Sequence, residues 1–286
     1  MPSWLFRMLD KGNATNNVIR IAPDGRLTRH AVIKNETPDV IPALAQLCRQ
    51  DKSIQRAFLC SAHVHHISEI PKEGGFCGYR NIQMLVSYIQ ESRGPGCHHF
   101  PGALPTILQL QDMIERAWDM GFNTVGRIET GGIKGTRKYI GTSEAQALFL
   151  SLGIQCKAWS IGNTKDMPAH SSLLSHVAAY FRGAGPSDNK TEKVVLTDLP
   201  PIYLQHHGHS MTIVGIEVRE QGSANILVFD PSFKTPSVIK HAMGANIKTS
   251  EPARILKGYR KGVNYLKKYQ TFELLELLPP RFQTEN

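Results

Sequence analysis

Disulfide pairs, metal-binding spacings, membrane-length apolar runs and internal repeats are all missing from this chain of 286 residues. Its five cysteines (Cys48, Cys60, Cys77, Cys97, Cys156) are odd in number, widely spaced and nowhere arranged as CxxC. That argues against a disulfide framework and for a reducing compartment, cytoplasmic or nuclear. HExxH is absent too. The histidines at His63, His65 and His66, at His98 and His99 beside Cys97, and at His206, His207 and His209 are therefore not expected to hold a metal. No apolar run approaches the length of a membrane span, and Met1-Pro2-Ser3-Trp4-Leu5-Phe6-Arg7 lacks the features of a secretory signal, so no membrane partner is expected. The glycine-rich stretch 128–142 lacks P-loop spacing and reads as a loop, not a phosphate cradle.

What is present is a globular composition, 41% hydrophobic and 20% charged, in a chain long enough to bury a full core. One domain over residues 1–286, acting as a monomer, is the default reading. The net charge is +9, with 33 basic against 24 acidic residues and a basic cluster at Lys257, Arg260, Lys261, Lys267 and Lys268. Without a nucleic-acid motif the cluster reads as a solvated face, and no specific nucleic-acid partner is expected.

Apolar periodicity predicts helices after Thr37-Pro38-Asp39, from Cys77 to the Gly94-Pro95-Gly96 stop, after Pro105 to Gly121, from Thr142 to Gly153, and over residues 171–182. The runs 57–60 and 155–161 read as strands, and residues 183–190 as a surface loop open to insertion or cleavage. Beyond them the character changes. Residues 194–196, 202–205, 211–216 and 226–229 are strand-like runs separated by turns, which implies an antiparallel sheet and an α+β fold.

The thiol that stands out is Cys77. A glycine pair and an aromatic deliver it to the start of a helix, where free N–H groups and the macrodipole favour a thiolate. A thiol nucleophile needs a base and a group to orient that base. His209 enters one strand just after a glycine, and Asp230 ends the next. If those strands pair as a hairpin, the two side chains become neighbours. Gln205 adds an amide donor. If its strand runs on to His209, both lie on one face, and Gln205 with the Cys77 backbone N–H forms an oxyanion hole.

The sequence resembles the papain-like cysteine proteases that act on ubiquitin-fold modifiers, in the ZUFSP-type branch of deubiquitinases. The resemblance rests on Gly75-Phe76-Cys77-Gly78-Tyr79-Arg80-Asn81-Ile82-Gln83-Met84-Leu85, on Met113-Ile114-Glu115-Arg116-Ala117-Trp118 with Gly121-Phe122, and on Ile140-Gly141-Thr142-Ser143-Glu144. It continues at Pro201-Ile202-Tyr203-Leu204-Gln205-His206, Gly208-His209-Ser210 and Leu227-Val228-Phe229-Asp230-Pro231, six segments in one order over roughly residues 41–234.

The resemblance implies a papain-like fold, a thiol isopeptidase acting on ubiquitin or polyubiquitin, and no cofactor. Cys77 is then the nucleophile, His209 the base, Asp230 its orienter and Gln205 the oxyanion donor. It also implies that Glu144 helps hold the basic tail of ubiquitin. A second acidic residue of the animal members falls where this chain has Asn123, which removes one charge from that groove. The animal members favour chains joined through ubiquitin's sixty-third lysine. Their substrate-binding helical arm would have its counterpart within residues 37–60, but the favoured reading of residues 41–50 is a core helix.

Overall fold

The computed structural model describes residues 1–10, 15–21, 27–33, 35–183, 192–242 and 246–278, so the expected surface loop lies, from residue 184 on, outside the described residues. The first half of the chain holds α1 (Ser3–Asp10), β1 (Thr15–Ile21), β2 (Leu27–Ile33), β3 (Glu36–Thr37), α2 (Val40–Gln50), β4 (Ile54–Leu59), β5 (His66–Ile67), α3 (Cys77–Glu91), α4 (Ile107–Asp119), α5 (Thr124–Thr130) and α6 (Thr142–Ser151). There follow β6 (Cys156–Gly162), α7 (Ala169–Arg182), β7 (Val194–Leu196), β8 (Ile202–His206), β9 (His209–Arg219) and β10 (Ala224–Phe229). The remainder is α8 (Ser237–Ala242), α9 (Pro252–Leu256), β11 (Arg260–Gly262), α10 (Val263–Leu266) and β12 (Thr271–Leu277).

The α+β layout read from element order is the observed one. The eight-stranded sheet runs β11-β10-β9-β8-β12-β6, with β4 pairing both β9 and β7. Every pairing in it is antiparallel except that of β4 with β7, where Ala57 sits opposite Val194. β9 joins the sheet together. Residues 209–213 pair with β8 and residues 215–219 with β4, while β10 follows β9 along its other edge. β4 passes so close that a Cβ at Gly215 would lie 2.4 Å from the Phe58 carbonyl oxygen, which only glycine avoids.

Side chains alternate across a strand, so the cross-strand pairs sort the two faces. Tyr203 and Gln205 share a face with Ser210, Thr212 and Glu273. There Asn81 of α3 bonds Ser210 and Thr212, and Thr142 of α6 bonds Glu273. Ile202 and Leu204 share the other face with Glu276, which takes His176 of α7 at 2.6 Å. Helices thus cover both faces, with α3 and α6 on one and α7 on the other.

Local chemistry sets the helix starts. Thr106 and Gln109 form a reciprocal capping box at α4, with Gln109 N–H on Thr106 Oγ1 at 3.1 Å and Thr106 N–H on Gln109 Oε1 at 2.7 Å. α2 buries Val40, Ile41, Leu44 and Leu47 in the core, and β4 is paired on both edges, so residues 40–59 are integral to the domain core. Two expectations need correction. Residues 124–130 are helical, so the glycine-rich loop begins at Gly131 and not at residue 128. The basic cluster is not uniformly a solvated face: Arg260, its side chain only 10% exposed, pairs with Asp51 and Glu217 at 2.7 Å, and Lys261 reaches Asp230 at 2.9 Å.

Candidate active site

Cys77 is the first residue of α3, as its glycine-aromatic approach predicts. Gly74 takes a positive φ of 81°, and Phe76, fully buried, occupies the N-cap without a capping side chain. The first-turn N–H groups are therefore free of side-chain caps. A buried clamp holds the approach: Arg80 binds both oxygens of Glu73 at 3.0 and 2.6 Å, Glu73 Oε2 accepts the Ile70 N–H at 2.9 Å, and Arg80 also donates to Gln83 at 2.9 Å. Neither charge is more than 4% exposed, so the pair ties residues 70–73 to the second turn of α3. One turn into the helix, Asn81 donates to the Cys77 carbonyl at 2.8 Å and to Ser210 Oγ at 3.0 Å, while Thr212 donates to Asn81 Oδ1 at 2.7 Å.

β9 and β10 form the expected hairpin, with Phe229 opposite Thr212, and this brings the His209 imidazole to Asp230. His209 Nε2 donates to Asp230 Oδ1 at 2.7 Å, leaving Nδ1 for the thiol. Asp230 is fully engaged. Oδ1 also accepts from the N–H and hydroxyl of Ser232, and Oδ2 takes Lys261 Nζ at 2.9 Å. The backbone carbonyl of Asp230 accepts from His66 Nε2 at 3.1 Å, which makes Thr235 the donor to Nδ1. Burial pushes the His66 pKa down to about 4, so that ring is neutral and structural.

The electrostatics follow from these contacts. Burial pushes the Cys77 thiol up, but hydrogen bonds with His209 and Ser210 and the imidazolium charge outweigh it, and the net direction is down. For His209, burial favours the neutral ring, yet Asp230 and Cys77 together raise it to about 10. Asp230 is driven up by burial and further down by His209 and Lys261, well below the usual carboxylate range. A thiolate beside an imidazolium is the favoured state through neutrality. The other buried thiols differ: with no such partner, Cys48 and Cys156 are pushed up to about 12 by burial.

Gln205 reaches the same place by a different route from the one expected. Its strand does not continue to His209. It ends at His206, Gly208 turns at a φ of 81°, and β9 starts at His209, so Gln205 faces Ser210 across the hairpin. Its amide lies against Gly141, and Oε1 is buried without a hydrogen-bond partner. Glu144 and Asn123 also come together. A Cβ on Gly126 would lie 2.8 Å from Glu144 Oε1 and 3.2 Å from Asn123 Nδ2. Asn123 is exposed at the N-cap of α5, whereas Glu144 is buried and accepts from the Gly141 N–H at 2.7 Å and the Ser143 hydroxyl at 3.0 Å.

Sequence reasoning missed Lys261, Ser232, Glu73, Arg80 and the trio Asn81, Ser210 and Thr212. Arg80, Asn81 and Ser210 lie inside motif segments but carried no chemical signal of their own, and Lys261 was hidden in a charge cluster. Among the described residues no group of three or more His, Cys, Asp or Glu is placed to hold a metal ion, and no helix is long and apolar enough to cross a membrane.

Residues 53–275 match the model of peptidase family C78. The chain is 34% identical over 252 residues to the zinc finger-containing ubiquitin peptidase 1 of Mus musculus, covering 86% of this chain and 42% of that protein. It is 29% identical over 144 residues to the ubiquitin carboxyl-terminal hydrolase mug105 of Schizosaccharomyces pombe, covering 50% and 54% respectively. The crystal structure of UfSP from C. elegans is similar at a TM-score of 0.47 and 13% identity, over 93% of this chain and 50% of that one. The chain spans about two fifths of the length of the mammalian relatives it matches. The extent of the family match decides the membership: the chain belongs to peptidase family C78 and is a cysteine peptidase.

Proposed function

We propose that this chain is a deubiquitinase that hydrolyses the isopeptide bond at the C-terminal glycine of ubiquitin. The observation that carries the chemistry is the Asp230–His209 hydrogen bond of 2.7 Å set against a thiol at an uncapped helix start. The Cys77 thiolate attacks the glycine carbonyl carbon. The oxyanion is received by the Cys77 backbone N–H and the Gln205 amide, and the His209 imidazolium gives its proton to the leaving lysine amine. That step leaves a thioester on Cys77. His209, now neutral, takes a proton from water, the resulting hydroxide attacks the thioester, and the ubiquitin carboxylate departs from a regenerated thiolate–imidazolium pair.

Ubiquitin as the modifier is supported by the two relatives whose names are ubiquitin hydrolases. Glu144 and Asn123, adjacent at Gly126, are assigned to the groove for the modifier's tail. A neutral Asn123 favours, as the second reading, a modifier with a less basic tail. A preference for chains joined through the sixty-third lysine belongs to the same proposal, as does a cytoplasmic or nuclear location. Ubiquitin and other ubiquitin-fold modifiers carrying a C-terminal electrophile decide the first point: ubiquitin labels Cys77, and labelling by another modifier alone overturns the reading. A panel of di-ubiquitin linkages, scored by gel, decides the second.

A further inference from the structure

Residues 137–141 run alongside the segment that presents Cys77, and that segment is glycine where they meet. A Cβ at Gly74 would lie 2.3 Å from Arg137 Nη2, at Gly75 1.8 Å from Tyr139 Cε1, and at Gly78 2.6 Å from the Ile140 carbonyl oxygen. At the last crossing the roles exchange: Gly141 is the glycine, and a Cβ there would lie 3.0 Å from both ends of the Gln205 amide. Non-bonded carbons meet favourably only near ~3.5–4.0 Å, so each crossing is already at contact distance. The strap is anchored at its base by α4. Glu115 Oε1 accepts the Ile133 N–H at 2.6 Å, Gln111 Oε1 accepts the Gly135 N–H at 2.9 Å, and Gln111 Nε2 donates to the Thr136 carbonyl at 3.2 Å. At its far end Ile140 is buried. Between these fixed points Tyr139 stands 69% exposed with its ring over Gly75, two residues before Cys77.

A tyrosine that exposed, on a segment pinned at both ends, adds little to the core. It forms a wall. An acyl group whose carbonyl carbon is at Cys77 and whose oxygen points to Gln205 borders residues 137–141, since that strap touches Gln205 at one end and the approach to Cys77 at the other. We propose that Tyr139 determines specificity on the acyl side: it excludes a side chain at the residue next to the scissile glycine, so that only Gly-Gly ends are accepted. This deepens the isopeptidase reading and rests on it for the identity of the acyl group.

The test uses small electrophiles and requires no modifier. Acetylated dipeptide vinyl sulfones, one built on Gly-Gly and one on Ala-Gly, are compared by their rates of Cys77 modification, located by mass spectrometry. One methyl against a fixed wall is worth at least ~10-fold, and that ratio in the wild type falls to about 2 in Tyr139→Ala and is retained in Tyr139→Phe. Buried Cys48, Cys60 and Cys156 remain unmodified in the same samples, which reports that each variant is folded. A ratio unchanged in Tyr139→Ala, or no preference in the wild type, overturns the inference. Turnover of ubiquitin–aminocoumarin is scored separately: its absence in the wild type removes the ubiquitin reading, while the vinyl sulfone ratio still decides the role of Tyr139.

Discussion

Asp230→Asn keeps the shape of the orienting group and removes its charge. In the native site one oxygen receives His209 Nε2–H at 2.7 Å and the other receives Lys261 at 2.9 Å. The substitution takes the anion from the imidazolium and leaves the ammonium of Lys261 facing it. An opposite charge at hydrogen-bond range shifts a pKa by ~1–3 units, so the ring falls from about 10 to about 8 or below, a loss of ~2.7 kcal/mol at ~1.36 per unit. A base whose pKa is raised stays protonated from acid pH up to that value, and the thiolate is stabilised only while the ring is charged. The variant therefore holds the thiolate–imidazolium pair only up to about pH 8, so the pH window of the pair narrows by ~2 units at its alkaline end. The assay is the rate of iodoacetamide modification of Cys77 between acid and alkaline pH, resolved from Cys97 by mass spectrometry. The alkaline step of the rate profile, where the ring loses its proton, moves down by ~2 units in Asp230→Asn and returns by about one unit when Lys261→Met is added. Superimposable curves for wild type and Asp230→Asn, or a slower rate with an unmoved midpoint, would refute the electrostatic account.

Gln205→Ala removes the side-chain oxyanion donor proposed above and is expected to lower kcat on ubiquitin–aminocoumarin by ~10²–10³-fold with KM near the wild-type value; a rise in KM alone would assign Gln205 to binding instead. Glu73→Gln or Arg80→Met leaves a buried partner unpaired and costs ~3–5 kcal/mol in urea unfolding, whereas Glu73→Leu with Arg80→Met costs much less. Brief alkylation of the native protein labels Cys77 first and half-exposed Cys97 second and spares Cys48, Cys60 and Cys156; early labelling of any of these three contradicts the assigned burial.

The residues whose chemistry is local were legible in the sequence. Cys77 announces its helix through the glycines and Phe76, and the β9–β10 hairpin follows from two apolar runs and a polar turn, which is enough to bring His209 to Asp230. Gln205 was found on the right face for the wrong reason. A strand running through Gly208 and a hairpin turning at it both align Gln205 with the site, because cross-strand partners share a face as alternate residues do. Lys261 was not legible. It sits on β11, opposite Ile226 of β10, and no periodicity in residues 257–268 distinguishes it from its solvated neighbours. The Glu73–Arg80 clamp was hidden for a related reason: two charges seven residues apart across a loop and a helix start show no pattern until the loop is folded back.

Strand β12 has a consequence for the life of the chain on the ribosome. It lies between β8 and β6, pairing Glu273 with Gln205 on one side and with Ser160 on the other, yet it is made more than sixty residues after Gln205. Until residues 271–277 emerge, β8 and β6 have no common neighbour and the edge beside Gln205 stays open. A nascent chain already long enough to hold Cys77, His209 and Asp230 still lacks the strand that pairs with β8 at Gln205. Synthesis itself thus delays the hydrolase, and a chain cut before Thr271 is expected to emerge with its thiol present and its turnover lost.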